Sequence, residues 1–319
     1  MSKASGYRSD VPHGLMFHRF CDDASADRQQ GTLSSRDFEA ILTYAGIDRI
    51  LTPQEWLERV VEGRLQDRDL CITFDDGLRS QQDIALPVLE HHGLRAFWFV
   101  YSSVFEGSAV RSEIYSDVAR ATGGMARLIG EFLERCPNEL LRQLESGAFA
   151  AYAASMQAAA PFYSAADLKY RFLRNQPQNR ELFESLMDRI VAERGFELAD
   201  VAAGLWLADE DLKVLAAKGN RIGLHSYDHP YELASLSREE QLAQYSRNGE
   251  HVRRATGIAP DSMSHPLNSY GAGTLSILRE LGIRCGFRAN MVAMQNRSAL
   301  ELAREDSSRL RALSQQRIH

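Results

Sequence analysis

One pattern recurs along the chain: a stretch with the helical spacing of apolar residues, then a glycine, then a short run rich in β-forming residues. The glycines of this pattern are Gly46, Gly93, Gly219, Gly257 and Gly282. Each stands where a helix would end on a left-handed residue, the conformation that costs glycine least. Five such joints predict alternating strands and helices around a largely parallel sheet, in either a barrel or an open, doubly wound fold. In both folds, chemistry belongs at the carboxyl ends of the strands.

The pattern breaks once, between a strand that ends near Ser102 and a strand that begins near Arg221. This interval is far longer than one crossover helix needs, and it is rich in the helix formers Ala, Leu, Glu and Arg. We therefore expect one domain over residues 1–319 with a helical insertion over about residues 108–204. A lid, a substrate-selecting cap and a surface for homo-oligomer formation all stay open as the role of the insertion.

The composition of the chain excludes several classes of protein. Hydrophobic residues make up 44% and charged residues 25%, which is typical of a globular protein and not of a disordered or coiled-coil chain. The net charge is −6 without a block of lysine and arginine, so we expect no nucleic-acid partner. The four cysteines lack C-x-x-C spacing and predict neither disulfides nor a thiolate zinc site. Apolar runs are too short for a membrane span and no apolar leader is visible, so we expect a cytoplasmic protein.

Two adjacent carboxylates follow an apolar strand in the segment LCITFDDGLRSQQDIALPVLE, and a helix is predicted directly after them. These residues, Asp75 and Asp76, are expected at the carboxyl end of the strand. The simpler interpretation is that one of them caps the next helix while the other is solvated, which is common in D-D-G turns.

Two histidines follow another predicted strand in the segment RIGLHSYDHPYELASLS, where His225 ends the strand and His229 comes four residues later. Two imidazoles and one carboxylate are a common ligand set of catalytic zinc, which leaves a position for water or substrate. A loop with two histidines is more often a hydrogen-bonding surface feature. A functional site is favoured because this loop and the paired carboxylates lie at the same end of neighbouring β/α units.

Together, the two segments resemble the polysaccharide deacetylases, the metal-dependent carbohydrate esterases of family four. TFDDG matches the first motif of that family, and HSYDHP matches its H-[ST]-x-x-H-P second motif. The resemblance implies a distorted (β/α) barrel that binds one divalent metal ion, expected to be Zn²⁺. By this resemblance the metal ligands are Asp76, His225 and His229, and the catalytic base is Asp75.

The third motif of the family departs from its usual pattern in this chain. The family has an arginine before a Pro-Tyr-Gly-like run, whereas the corresponding segment here is SHPLNSYG, with His265 near the place of the arginine. The loop is still expected to supply a wall of the substrate groove and a backbone N–H for the oxyanion. The substrate-binding residues expected in it are Pro266, Asn268 and Tyr270.

Three further positions complete the predicted catalytic set. Arg304 follows an apolar LELA run that resembles a final strand, and we expect it to replace the missing arginine beside Asp75. A charged, solvated loop is the simpler interpretation of this position. The closing family motifs, which supply a histidine acid, have no match here, so the candidate acids are His265 and His18. A structural histidine stays open for each.

The resemblance, taken with these residues, implies a metal-dependent hydrolase that removes an N-acyl group, acetyl or formyl, from an amino sugar. A metal ion would polarise the amide carbonyl and lower the pKa of bound water toward ~7, and Asp75 would accept a proton from that water. The expected location favours an intracellular sugar intermediate of surface polysaccharide biosynthesis, nucleotide-linked or lipid-linked. Two alternatives stay open: a hydrolase of another linear or cyclic amide, and a catalytically silent barrel that binds a glycan or assembles with a glycosyltransferase.

Overall fold

The strands of the chain are short and pair in parallel. The structure, a computed structural model, describes residues 7, 9–22, 32–159, 163–294 and 298–316. Its strands are β1 (His13–Phe17), β2 (Arg19–Phe20), β3 (Thr32–Leu33), β4 (Leu70–Asp75), β5 (Phe97–Val100), β6 (Arg221–Leu224), β7 (Ser262–Ser264), β8 (Cys285–Phe287) and β9 (Ala303–Asp306). One seven-stranded sheet has the order β8-β7-β6-β5-β4-β1-β9, and β2 pairs with β3.

The two edges of the seven-stranded sheet meet. A parallel bridge joins Phe287 of β8 to Leu302, the residue before β9, and the N–H of Leu302 donates to the carbonyl of Gly286. A Cβ atom at Gly286 would lie 2.7 Å from the carbonyl oxygen of Leu300, so the close approach requires glycine. The sheet is therefore a nearly closed parallel barrel. This confirms the predicted distorted (β/α) barrel and excludes the open, doubly wound alternative.

Helices lie between most of the strands along the chain. They are α1 (Ser35–Ala45), α2 (Pro53–Val61), α3 (Leu86–His91), α4 (Arg111–Ala121), α5 (Met125–Arg135), α6 (Asn138–Leu141), α7 (Gly147–Ala159), α8 (Ala165–Arg174), α9 (Arg180–Glu193), α10 (Leu198–Leu205), α11 (Asp209–Ala217), α12 (Arg238–Thr256), α13 (Ala272–Glu280) and α14 (Ser307–Gln315). The main apolar core lies between sheet and helices; for example, Phe17 of β1 and Phe38 of α1 meet edge to face, 4.8 Å apart. Within the described residues, no helix combines the length and the apolar character that a membrane crossing requires.

The helices α4–α10 belong to a compact unit that spans residues 109–205, and the barrel strands belong to a second unit. Inside the helical unit, α5, α8 and α9 meet through the rings of Phe132, Tyr170 and Phe183, whose centroids are 4.7–5.3 Å apart. The helices predicted for this interval are therefore present. That the interval is an insertion within a single domain stays a prediction.

The predicted joints of helix, glycine and strand are found at four places, and one is wrong. The four glycines that have positive φ and lead into strands are Gly93, Gly219, Gly257 and Gly282. Gly46 also has a positive φ of 93°, but a 3₁₀ turn at Ile47–Arg49 follows it, and Ile50 makes only an isolated bridge. The cause lies just downstream: Thr52 caps α2, so few residues are left in which a strand could form.

The last strand also differs from the prediction, because Arg304 lies within β9 and not beyond its end. Ala303 and Arg304 pair with His13 and Gly14 of β1. A Cβ atom at Gly14 would lie 3.1 Å from the Cγ atom of Arg304, so glycine lets the arginine stem cross the strand closely. The side chain of Arg304 is fully buried. A charged residue stays inside this barrel because it has a partner there, which is described below.

Candidate active site

The two sequence motifs meet at the carboxyl end of the barrel. Asp75 is the last residue of β4, and His225 directly follows β6. Asp76 has a φ of 76°, in the left-handed region that aspartate tolerates better than most residues, and this turn ends the strand. The Nε2 atom of His225 lies 4.0 Å from Asp75 and 3.5 Å from Asp76.

Asp76, His225 and His229 form a compact set of potential metal ligands. One ligand atom from each residue lies within 4.8 Å of the other two. The Oδ1 atom of Asp76 is 3.5 Å from Nε2 of His225 and 3.7 Å from Nε2 of His229. One carboxylate and two imidazoles are the kind of donor set that binds zinc while leaving a position open. The residues present therefore fit a Zn²⁺ ion.

The orientation of His225 and the neutral form of His229 suit the binding of a metal cation. The Nδ1 atom of His225 lies 2.9 Å from the carbonyl oxygen of Ser264, an arrangement that leaves Nε2 for a metal. Burial, with the neighbouring His225, lowers the pKa of His229 to about 4, so that imidazole is neutral, the form that binds metals. Burial also works against protonation of His225, but Asp75 and Asp76 outweigh it and raise its pKa. The same carboxylates attract a metal cation.

Arg304 and Asp75 form a buried, bidentate ion pair inside the barrel. Arg304 donates from Nη1 to Oδ1 of Asp75 and from Nη2 to Oδ2, both at 2.7 Å. Nη2 also donates to Oγ of Ser264 at 2.7 Å, and Nε donates to the carbonyl of Arg288. Burial alone would raise the pKa of Asp75, but the charge and hydrogen bonds of Arg304, together with the neighbouring His225 and His18, outweigh burial and hold this pKa below its usual range. Asp75 is therefore a fixed, ionised carboxylate.

His18 lies at the open side of this pair. It follows β1, its side chain is 31% exposed, and its Nε2 atom is 3.8 Å from Oδ2 of Asp75. The buried side chain of Gln81 donates from Nε2 to the carbonyl of His18 at 2.8 Å and to the carbonyl of Asp75 at 2.5 Å. Gln81 thus ties together the backbones that carry the two groups.

His265 lies in a different environment from His18. It is 1% exposed, and its Nε2 atom lies 2.8 Å from the carbonyl oxygen of Leu300. Its ring stacks on the ring of Tyr270, with centroids 4.0 Å apart. Burial lowers the pKa of His265 to about 3, so this histidine carries no charge at neutral pH. The structure brings His265 against Tyr270, and it does not bring an exposed imidazole edge to this position.

The residues predicted to bind substrate, Pro266, Asn268 and Tyr270, lie in a loop whose exposure varies, and their role stays a prediction. Pro266 is buried, whereas Asn268 and Tyr270 are half-buried. Leu267 and Asn268 both have positive φ, and the Oδ1 atom of Asn268 accepts a hydrogen bond from the N–H of Ala289. Leu267, which the sequence analysis does not single out, is half exposed.

Several residues of the site lie outside the sequence predictions: Thr73, Gln81, Ser264, Gln244 and Asn248. Thr73 accepts a hydrogen bond from Arg304, and Ser264 bonds to Asp75 and Arg304. A signal for Ser264 exists in the sequence, because a polar residue in a strand buried at every position needs a partner. Gln244 and Asn248 lie on α12, where nothing in the local sequence marks them as part of a site.

A second group of potential ligands lies away from this site, on the outer helices. Glu39 of α1 and His91 and His92 at the end of α3 have ligand atoms within 4.8 Å of one another. Glu39 and His91 are exposed, and an ion pair of 3.1 Å between Glu39 and His92 accounts for their closeness. This group needs control in any measurement of bound metal.

Residues 186–286 match a family model described as polysaccharide deacetylase. The matched region contains the second motif, at His225–Pro230, and the segment Ser264–Gly271. The match confirms the resemblance to polysaccharide deacetylases that the motifs predict. No curated protein matches the chain.

Solved structures share the fold over almost the whole chain. The Streptococcus pyogenes deacetylase PplD in complex with acetate is 15% identical, with a TM-score of 0.55 and 94% of each chain covered. IcaB from Ammonifex degensii is 18% identical, with a TM-score of 0.53, 97% of this chain and 98% of that chain covered. A de-N-acetylase from Aggregatibacter actinomycetemcomitans is 11% identical, with a TM-score of 0.54, 92% of this chain and 94% of that chain covered. At these identities the likeness establishes the fold.

Proposed function

We propose that the protein is a metal-dependent hydrolase that removes an N-acyl group, acetyl or formyl, from an amino sugar. One observation carries the proposal: an ionised carboxylate, Asp75, is fixed by Arg304 directly beside the ligand set of Asp76, His225 and His229. The match of residues 186–286 to polysaccharide deacetylases supports the same reaction class.

Each group in the site has a distinct task in the proposed reaction. A Zn²⁺ ion held by Asp76, His225 and His229 would polarise the amide carbonyl and make a water molecule more acidic. Asp75 accepts the proton of the attacking water, since Arg304 keeps it ionised and in place. A carboxylate has about four lone-pair sites, so the bidentate contact with Arg304 still leaves Asp75 room to accept.

The amine that leaves the carbonyl needs a proton, and we assign its delivery to His18. This imidazole is partly exposed and lies 3.8 Å from Asp75, where it is close to the proton that the base has taken. His265, the other candidate, has a pKa of about 3, so it is a neutral imidazole at neutral pH, and its Nε2 atom is engaged with the carbonyl of Leu300. A general acid must carry its proton at the working pH.

The proposed substrate class is an N-acylated amino sugar, free, nucleotide-linked, lipid-linked or within a polymer. PplD, a deacetylase described with bound acetate, has the same fold, which supports acetyl as the group removed. The intracellular intermediate and the cytoplasmic location inferred from the sequence stay predictions. So does the role of the helical insertion in substrate choice or in forming a homo-oligomer.

The experiment that tests this function incubates the zinc-loaded protein with a panel of N-acetylated and N-formylated amino sugars of each type. Mass spectrometry then identifies any product with a free amine, and the mass lost distinguishes acetyl from formyl. The matched control is Asp75→Asn, which should lower turnover by roughly 10²-fold or more. Release from non-sugar amides alone would favour the other amide hydrolase. No product from any compound, with metal bound, would favour the silent glycan-binding barrel.

A further inference from the structure

The loop between the two predicted histidine ligands has an unfavourable backbone. Ser226 has a φ of 67° and His229 a φ of 54°, and both lie in the left-handed region that non-glycine residues rarely adopt. Such a conformation is unfavourable because the Cβ atom comes too close to the following carbonyl oxygen. It persists only where surrounding contacts fix it, so the residues that hold this loop determine whether both imidazoles face Asp76.

Gln244 of α12 holds the middle of the loop. Its Oε1 atom accepts hydrogen bonds from the backbone N–H groups of Tyr227, at 2.9 Å, and Asp228, at 3.2 Å. Its Nε2 atom donates to Oδ1 of Asp228 at 2.8 Å. One amide side chain therefore satisfies three polar groups of a loop that forms no regular structure of its own.

Asn248 of α12 holds the start of the loop. It is fully buried, and its Oδ1 atom accepts a hydrogen bond from the N–H of His225 at 2.9 Å. Its Nδ2 atom donates to the carbonyl of Val100, the last residue of β5, at 2.9 Å. The N–H of His225 also lies 3.2 Å from that carbonyl. Asn248 thus links the end of β5 to the backbone of His225.

Positions 244 and 248 are one helical turn apart, so both side chains lie on the same face of α12. We propose that Gln244 and Asn248 are positioning residues, which hold the His225–His229 loop in the strained conformation that presents both imidazoles to the metal beside Asp76. This inference rests on the proposed function, and it adds to that function the element that shapes the metal centre.

The chemistry of the contacts explains why both positions carry amides. Each side chain donates with its nitrogen and accepts with its oxygen at the same time. A carboxylate only accepts and an aliphatic side chain does neither, so no such substitution reproduces the pair of contacts. At Gln244 a carboxylate would also face the carboxylate of Asp228.

The test measures metal affinity, because residues that position the His225–His229 loop act on the metal ligands and not on the substrate. All variants are made in a His92→Ala background, which removes the exposed group of potential ligands on α1 and α3. Zn²⁺ affinity is obtained by competition with a chelator, and the absorption spectrum of bound Co²⁺ reports the geometry of the ligands. Gln244→Met removes all three contacts without adding a charge. We expect it to weaken Zn²⁺ binding on the order of 10–100-fold and to change the Co²⁺ spectrum.

An exchange of the amide and the carboxylate between positions 244 and 228 distinguishes a positioning role from an effect on overall stability. Gln244→Glu alone places two carboxylates together and should weaken Zn²⁺ binding, although its extra negative charge by itself would favour a cation. Adding Asp228→Asn restores a donor and an acceptor with their roles reversed, and most of the affinity should return. Asn248→Asp is expected to behave like Gln244→Met, but Asn248 is fully buried and this variant also risks misfolding. Gln244 is half-buried, so its variants are the ones that decide the test.

The matched control is another amide on the same helix. Gln241 is buried, donates to the carbonyl of Leu236 and accepts from Thr274, and among the described residues its side chain forms no hydrogen bond with the His225–His229 loop. Gln241→Met should lower the melting temperature and leave Zn²⁺ affinity close to that of the parent. If Gln241→Met weakens Zn²⁺ binding as much as Gln244→Met does, α12 acts only through overall stability and the inference is wrong.

The remaining outcomes distinguish this inference from the proposed function. Tight Zn²⁺ binding by the parent and equally tight binding by Gln244→Met would overturn the positioning role alone. Absence of Zn²⁺ binding by the parent would overturn the proposed function, and the positioning role with it. Weak binding by Gln244→Met, rescue by Asp228→Asn in Gln244→Glu, and normal binding by Gln241→Met would establish it.

Discussion

Among single residues, the ion pair of Asp75 and Arg304 is the feature that most clearly indicates the chemistry of the site. A guanidinium that binds both carboxylate oxygens at 2.7 Å fixes the orientation as well as the charge of its partner. Lysine keeps the charge but lacks the planar fork that makes two parallel contacts. The identity of residue 304 should therefore matter more to turnover than to folding.

The first prediction concerns Arg304→Lys, which should retain the metal while lowering kcat by roughly 10–100-fold. Arg304 holds the pKa of Asp75 down, so its replacement lets that pKa rise. Because the base works only when deprotonated, activity is lost as the pH falls through this pKa. The acidic limb of the pH–rate profile should therefore move to higher pH. An unchanged profile with normal turnover would mean that Arg304 has no part in the reaction.

A second prediction compares the two candidate acids. His18→Gln should lower kcat by roughly 10²–10⁴-fold, the scale of general acid catalysis. His265→Gln should lower kcat far less, although it removes a ring that is stacked on Tyr270 and so affects stability. Steady-state kinetics and thermal melting of both variants check this. A larger loss of kcat in the His265 variant would reverse the assignment.

The sequence predicts part of this site because its chemistry is local in the chain. Asp75 and Asp76 are adjacent, and His225 and His229 share one loop, so each pair is recognisable before any fold is known. Ser264 and Gln244 are not recognisable in this way, because their roles depend on partners that are brought close only by the barrel. The serine indicates only that a polar residue in a buried strand needs some partner, and the glutamine carries no signal of its contacts.

At the scale of elements, the closure of the barrel depends on backbone contact between β8 and the residues before β9. Gly286 donates from its N–H to the carbonyl of Ala299 and accepts from the N–H of Leu302. Any Cβ atom at Gly286 would come within 2.7–3.0 Å of the backbone of Leu300, which has no freedom to move aside. This edge of the barrel therefore tolerates no side chain at residue 286 without a shift of the backbone.

The third prediction is that Gly286→Ala destabilises the protein by roughly 1–3 kcal/mol, the usual cost of overpacking. Chemical denaturation measures the change. The control is Gly273→Ala on α13, where a Cβ atom would meet nothing within 4 Å. That substitution should stabilise the helix by roughly 0.5–1 kcal/mol. Equal stability of the two variants would show that the edge is not closed as described.

The ends of helices and strands are predictable from the sequence where a local signal determines them. They are not predictable where pairing with a distant strand determines them. The glycine joints before β5 and β6 depend on a left-handed helix end, which Gly93 and Gly219 mark in the sequence. The boundaries of β9 depend on pairing with β1, and a run that includes Arg304 does not look like a strand until its buried partner is known. Local sequence patterns therefore do not reveal which strands pair over long distances in the chain.

At the scale of the whole molecule, the fold shields titratable groups far from the active site. His13, at the start of β1, is fully buried. Its Nδ1 atom lies 2.8 Å from the carbonyl oxygen of Val11, and its Nε2 atom lies 2.7 Å from the hydroxyl of Tyr7. These contacts satisfy a neutral imidazole. Burial lowers the pKa of His13 to about 4 from the ordinary 6.5.

The fourth prediction follows from this pKa. Between about pH 6.5 and 4 the unfolded chain binds a proton at His13 and the folded protein does not, so stability falls as the pH decreases. At 1.36 kcal/mol per pKa unit, the loss approaches about 3 kcal/mol. Urea unfolding at several pH values measures it, with His13→Gln as the variant that lacks this part of the slope. The same slope in that variant would assign the effect to other groups.

The proposed function requires that Asp75 acts as the base and that the adjacent Asp76 binds the metal. The metal content of two isosteric variants distinguishes these roles. Asp75→Asn and Asp76→Asn are prepared with the parent in the His92→Ala background, and bound zinc is measured by elemental analysis after removal of free metal. We expect about one ion per chain in the parent and in Asp75→Asn, because Arg304 and not the metal holds that carboxylate, and a large loss in Asp76→Asn. Equal loss from both variants, or full retention by Asp76→Asn, would contradict it.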